Sequence, residues 1–145
     1  MQLSRPVRVF LVDDSESFRF SAGCYLARQA SCGLVGVASS GEEALDRVEA
    51  ARPDLVLVDV AMPGMNGFEV VRRLKREAAA PQVAMITVHD NAGYRHAARE
   101  AGADGFITKS EFTWQVLLVI RGVAETLGEE GRDRPLESPG LARVK

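Results

Sequence analysis

The sequence predicts an α/β fold, a parallel sheet with helices on both faces, and three observations carry the prediction. Short apolar runs without polar alternation recur at 7–12, 33–38, 55–58, 83–88 and 105–108. Such runs fit strands buried on both faces rather than strands with one wet side. The stretches between them place apolar residues at helical spacing, and strand and helix alternate five times, which requires a parallel sheet with right-handed crossovers. A chain of 145 residues suffices for one such domain with its own core.

In chain order, the run at 7–12 ends in Asp13-Asp14, and residues 15–30 follow as a helix that buries Phe18, Ala22, Tyr25 and Leu26. Ser15 or Asp14 can cap it. After the strand at 33–38, Ser40-Gly41-Glu42-Glu43 has the S-x-x-E capping pattern and opens a helix through Ala44, Leu45 and Val48 that closes before Pro53. The run at 55–58 leads straight into Asp59, at the carboxyl end of a buried strand. A helix over 67–79 turns Phe68, Val71 and Leu74 inward and sets Arg72, Arg73, Lys75 and Arg76 on a solvated face. The strand at 83–88, an Ala-rich helix at 91–101 and the strand at 105–108 then lead to Lys109. In the last helix, 113–127, Val116, Ile120, Val123 and Leu127 share the core face, while Trp114 and Leu118 fall on the opposite one. Such a pair is a candidate partner surface. From Gly128 the composition shifts to Gly, Glu, Arg, Pro and Ser, so 5–127 reads as the domain and 128–145 as a disordered tail.

Composition narrows the function. The formal net charge of −2 offers no global basic surface, so no direct contact with nucleic acid is expected. No apolar stretch approaches the ~20 residues that span a bilayer, and the first residues lack a signal peptide's long apolar region. Cys24 and Cys32 match no metal spacing and read as two reduced thiols of a cytoplasmic protein.

In a sheet of this kind every strand delivers its carboxyl end to one edge, where ligands bind. Asp13, Asp14, Asp59, Thr87 and Lys109 stand at such ends and so can converge although the sequence scatters them. Three carboxylates and one ammonium leave a charge of about −2, which either raises carboxyl pKa values or recruits a cation. Mg²⁺ takes one or two carboxylates together with phosphate oxygens. A carboxylate is also a competent nucleophile towards phosphorus, and the transfer needs little beyond positioning and charge neutralisation.

Asp13-Asp14, Asp59, Met62-Pro63-Gly64-Met65-Asn66-Gly67, Thr87 and Lys109, taken in order, resemble the receiver domain of two-component response regulators over about residues 5–127. The resemblance implies a flavodoxin-like doubly wound (βα)5 sandwich with a five-stranded parallel sheet in the order 2-1-3-4-5. It implies that Asp59 accepts a phosphoryl group from a sensor histidine kinase or a phosphotransfer protein. Mg²⁺ would be held by Asp14, Asp59 and the Ala61 backbone carbonyl, with Asp13 acting through water. Thr87 and Lys109 would bind the phosphoryl group, and Phe106 stands at the position of the family's switch aromatic, although plain core packing explains it equally well. Ala61, Val88 and His89 are candidate tuning positions; His89 also reads as an ordinary loop residue.

Two departures stand out. Ser110 occupies the place where most receivers have a Pro, and Val88 follows Thr87 where a small residue is commoner, so access to Asp59 is expected to be narrower. Both features resemble the subclass that carries a helix-turn-helix output domain. The expectation is thus a signalling switch, not an enzyme, acting on a downstream protein or a second copy through the face at 91–127. The alternative is the input half of a DNA-binding transcriptional regulator. A phosphatase of the haloacid dehalogenase type wants a second acid two residues after its nucleophile, where this chain has Ala61. A flavin carrier would not place an acid pair in its phosphate loop.

Overall fold

The structure is a computed structural model that describes residues 5–130. Its elements are β1 (Val7–Val12), α1 (Glu16–Ala27), β2 (Cys32–Ala38), α2 (Gly41–Ala51), β3 (Leu55–Asp59), α3 (Gly67–Leu74), β4 (Gln82–Thr87), α4 (Ala92–Ala101), β5 (Gly105–Thr108), a 3-10 turn (Lys109–Glu111) and α5 (Phe112–Glu130). All strands are parallel, in the order β2-β1-β3-β4-β5. The fold class and strand order expected from the sequence are those observed.

The unbroken apolar runs are explained by the sheet having two covered faces. Val7, Val9 and Leu11, Leu55 and Leu57, Ala84 and Ile86, and Ile107 point into a core shared with α1 and α5. Phe10 and Val12, Val56 and Val58, and Val83 and Met85 point the other way, into a core shared with α2, α3 and α4. Each central strand therefore alternates between two apolar chambers rather than between core and water.

Four helices begin on a side chain that accepts the amide three residues on: Ser15 from Phe18, Ser40 from Glu43, Asn66 from Glu69 and Asn91 from Tyr94. The expected capping box is half realised. Glu43 accepts from the amide and hydroxyl of Ser39, one residue earlier than the pattern requires. The end of α2 turns through Arg52 at φ 51°, and its last carbonyls are satisfied by the Arg8 guanidinium, which donates to Ala51 O and Arg52 O at 2.7 and 3.0 Å.

Strand β4 ends at Thr87, so Val88, expected at the end of a buried strand, lies instead in an exposed loop. Three helix ends also differ from expectation. Helix α1 stops at Ala27, where the Gln29 side chain donates to Tyr25 O and occupies a carbonyl that a longer helix would use. Helix α3 ends at Leu74, not at 79. Residues 76–79 have nothing apolar to bury beyond alanines, and Lys75 is drawn inward to Asp104 Oδ2 (2.6 Å) and Pro81 O (3.1 Å), leaving the supposed solvated face. Helix α5 runs past 127 to Glu130, so the domain boundary moves outward: Gly128 is buried and the Thr126 hydroxyl donates to Gly122 O within the helix. The rest of the expected tail, 131–145, lies outside the described residues.

Candidate functional site: the acid pocket at the carboxyl edge of the sheet

The register of the central strands builds the pocket. Val12 pairs with Val58 and Asp59 with Ile86, so the chain segments that follow β1 and β3 emerge side by side. Carboxylate oxygens of Asp13, Asp14 and Asp59 lie within 4.8 Å of one another. Asp13 and Asp59 are buried, and Asp14 is exposed at the rim. From the end of β5, Lys109 reaches in with Nζ 3.0 Å from Asp13 Oδ2 and 3.8 Å from Asp59 Oδ1.

Supporting contacts fix Asp13. Its Oδ1 accepts from Ser15 N at 2.8 Å, and its carbonyl accepts from the Arg19 guanidinium at 2.7 Å. Gly67 fixes Asp59 from below. A Cβ at position 67 would stand 2.2 Å from Asp59 O and 2.9 Å from Met85 Cε, so only glycine lets the start of α3 lie against the end of β3.

The electrostatics are those of a pocket one cation short. Burial, and then the charge of Asp13, push the Asp59 carboxyl up to about 7, with Lys109 acting in the opposite sense and Asp14 adding to the rise. Asp13 Oδ2 is buried and receives no well-aligned hydrogen bond despite the nearby ammonium. An all-oxygen donor set, partly open at Asp14, with an excess of negative charge and a buried carboxyl oxygen met only by an ammonium fits a hard divalent ion such as Mg²⁺.

The remaining candidate residues lie on β4, β5, the loops at the strand ends and the outer side of α5. Thr87 ends β4 opposite Thr108, next to Lys109 in sequence. Its buried hydroxyl accepts from His89 N at 3.0 Å, which ties it to the loop leading into α4. Phe106 is half-buried on β5, packed against the α2–α4 chamber, with the Arg95 guanidinium 4.8 Å from its ring centroid. Arg95 is also paired with Asp90 at 2.7 Å. Ala61 and His89 are exposed in their loops, and Val88 stands in solvent at 64% exposure. Trp114 (53%) and Leu118 (39%) lie on the outer side of α5 as expected, and the Trp114 indole donates to Glu111.

Two contacts escaped the sequence. Phe18, read only as a core position, faces Lys109 across its ring, and Arg95, read only as part of an Ala-rich helix, covers Phe106. A ring one helical turn after an acid pair was the only available signal for the first.

The "Response regulator receiver domain" family model matches residues 9–120. The response regulator protein VraR of Staphylococcus saprophyticus is 33% identical over 118 residues, covering 80% of this chain and 56% of the relative. The chain thus spans about half the length of the curated relatives it matches. Among solved structures, the signal receiver domain of the putative response regulator NarL from Mycobacterium tuberculosis superposes with a TM-score of 0.74 at 33% identity, covering 81% of this chain and 98% of that one. The response regulator domain of Thermotoga maritima CheB gives 0.76 at 27% identity, covering 83% and 98%.

Proposed function

This chain belongs to the family of response regulator receiver domains of two-component systems, and we propose that within it Asp59 is the phosphoryl acceptor of a switch rather than the nucleophile of a turning-over enzyme. The observation that carries the reading is the buried Asp59 carboxylate at the end of β3, with Lys109 Nζ 3.8 Å away and two further acids within 4.8 Å. The donor is a phosphohistidine of a sensor kinase or phosphotransfer protein. An Asp59 oxygen forms a bond to phosphorus, the P–N bond breaks, and its electron pair stays on the imidazole, which takes up a proton.

Lys109 supplies a fixed positive charge to one phosphoryl oxygen as that bond forms. Thr87 Oγ1 accepts from His89 N and keeps its O–H to donate to another phosphoryl oxygen; drawing the hydroxyl towards that oxygen pulls on the loop at 88–91. Movement there relaxes the Asp90–Arg95 pair and the cover it gives Phe106. Asp14, Asp59 and the Ala61 carbonyl, with Asp13 through water, would hold Mg²⁺, whose chemistry is to neutralise the pocket and the phosphoryl oxygens.

No helix among the described residues is long and apolar enough to cross a membrane. That fits our reading of a cytoplasmic protein whose output goes to a downstream protein or a second copy through the α4–β5–α5 face. A second reading, the input half of a longer DNA-binding regulator, is favoured by the greater length of the matched relatives. The test of the phosphoryl reading is mass spectrometry after incubation with acetyl phosphate and Mg²⁺. One acid-stable, base-labile phosphoryl group is expected, absent in Asp59→Asn. Unchanged labelling of that variant removes Asp59 from the role.

A further inference from the structure

The Lys109 ammonium has a third neighbour that the acid pocket does not require. Besides Asp13 and Asp59, its Nζ lies over the Phe18 ring, 4.4 Å from the centroid. An ammonium over a ring face within about 6 Å is attracted by the ring's quadrupole, and more strongly when water is excluded. Lys109 is only 18% exposed in its side chain. The ring therefore stands where water would otherwise solvate the charge.

Phe18 is itself held. Its amide is bonded to the Ser15 cap, and its ring meets Phe112 edge-on, centroids 5.3 Å apart and planes at 81°. Phe112 is buried, begins α5 and also meets Tyr25 at 6.3 Å. The Tyr25 hydroxyl donates to Thr113 O at 2.7 Å, closing the contact between α1 and α5. A side chain with four rotatable bonds is thus confined by two carboxylates on one side and by a packed aromatic wall on another.

We propose that Phe18 is a positioning residue for phosphoryl transfer: its ring face holds the Lys109 ammonium over the acid pocket and shields it from water. The role rests on the reading of Asp59 as acceptor and adds a residue outside the acid, hydroxyl and ammonium set. Its value in the reaction is preorganisation. A lysine already confined needs no reordering as charge develops on the phosphoryl oxygen it covers. Without the wall, the ammonium gains water and alternative rotamers, and a smaller fraction of molecules present it correctly.

The experiment uses the full chain, Phe18→Leu, Phe18→Tyr and each combined with Lys109→Met, and it has a metal-free readout. In the wild type, the ε-methylene protons of Lys109 should be shifted upfield by the ring current, a shift kept in Phe18→Tyr and lost in Phe18→Leu. With acetyl phosphate and Mg²⁺, Phe18→Leu should gain its phosphoryl group about two- to five-fold more slowly, Phe18→Tyr near the wild-type rate, and neither change should matter in the Lys109→Met background. Lys109 protons at ordinary positions in the wild type overturn the proposal, and that measurement needs no variant to fold. So does a Phe18→Leu rate equal to the wild type, or an equal loss with Lys109→Met in place, which would make Phe18 a packing residue only. A wild-type chain that shows the ring-current shift but gains no phosphoryl group overturns the acceptor reading itself, and the positioning role with it.

Discussion

Replacing Asp59 by asparagine should make the metal-free protein more stable, and increasingly so as pH rises. The folded protein holds the Asp59 carboxyl at about 7, against an ordinary value of 3.8, mainly through burial and the neighbouring Asp13. Between those two values the native state keeps a proton that the unfolded chain has already released. Stability therefore falls as pH rises through this window and levels off above 7. Roughly three pH units at about 1.36 kcal/mol each set an upper figure near 4 kcal/mol. Water at the exposed Asp14 rim screens part of this, so ~2–4 kcal/mol is expected. Asn keeps the shape and has no charge to strand. In urea melts with a chelator present, the variant and the wild type should nearly coincide at about pH 4 and separate by that amount at about pH 8. Millimolar-scale Mg²⁺ should recover much of the difference by stabilising the wild type through mass action. A gap that is constant across the range, or that shrinks with pH, would refute the argument that burial and like charge govern this carboxyl.

Gly67→Ala should cost about 2–3 kcal/mol, because its Cβ would meet Asp59 O at 2.2 Å; thermal unfolding reads this, and a neutral result would mean that α3 can shift freely. Arg95→Ala strips the guanidinium from Phe106 and frees Asp90. It should tighten binding of beryllofluoride with Mg²⁺ about two- to five-fold in a fluorescence titration, since the resting arrangement loses a contact; weaker binding would show that this contact belongs to the active form. Beryllofluoride with Mg²⁺ should also alter Trp114 emission or solution mass, with Thr87→Ala blunting the change. Identical spectra and mass with the mimic bound would leave the outer side of α5 without a part in the output.

Much of this was legible in the sequence because the determining signals are local. Runs such as 55–58, apolar at every position, β-branched or leucine and bounded by breakers, read as strands covered twice, and a strand–helix alternation leaves few topologies. Strand ends in such a sheet share one edge, so Asp13, Asp14, Asp59 and Lys109 could be grouped before any coordinates, and the structure does group them. The end of α3 was not legible, since residues 76–79 favour helix and the chain leaves it for a distant partner, Asp104. The Phe18–Lys109 and Arg95–Phe106 contacts join residues on different elements, whose rotamers are set by packing that no spacing rule encodes. Of the two supports at Asp13, the Ser15 amide lies two residues on and was readable as a local turn contact, whereas the Arg19 guanidinium reaches back over six residues.

The sheet is also a watershed. Phe18 and Phe112 belong to the chamber of α1 and α5, whereas Phe106 packs in the chamber of α2, α3 and α4, with Arg95 of α4 over its ring. The pocket lies on the divide, at the strand ends where both chambers open. A single chemical event there has two independent slopes to run down, one through Lys109 towards the start of α5 and one through Thr87 towards α4. Residues on opposite slopes pack in different apolar clusters, so substitutions made on each, away from the shared pocket, should add in free energy. Selection could then retune the sensitivity of one helix face while leaving the other, and the chemistry at the crest, unchanged.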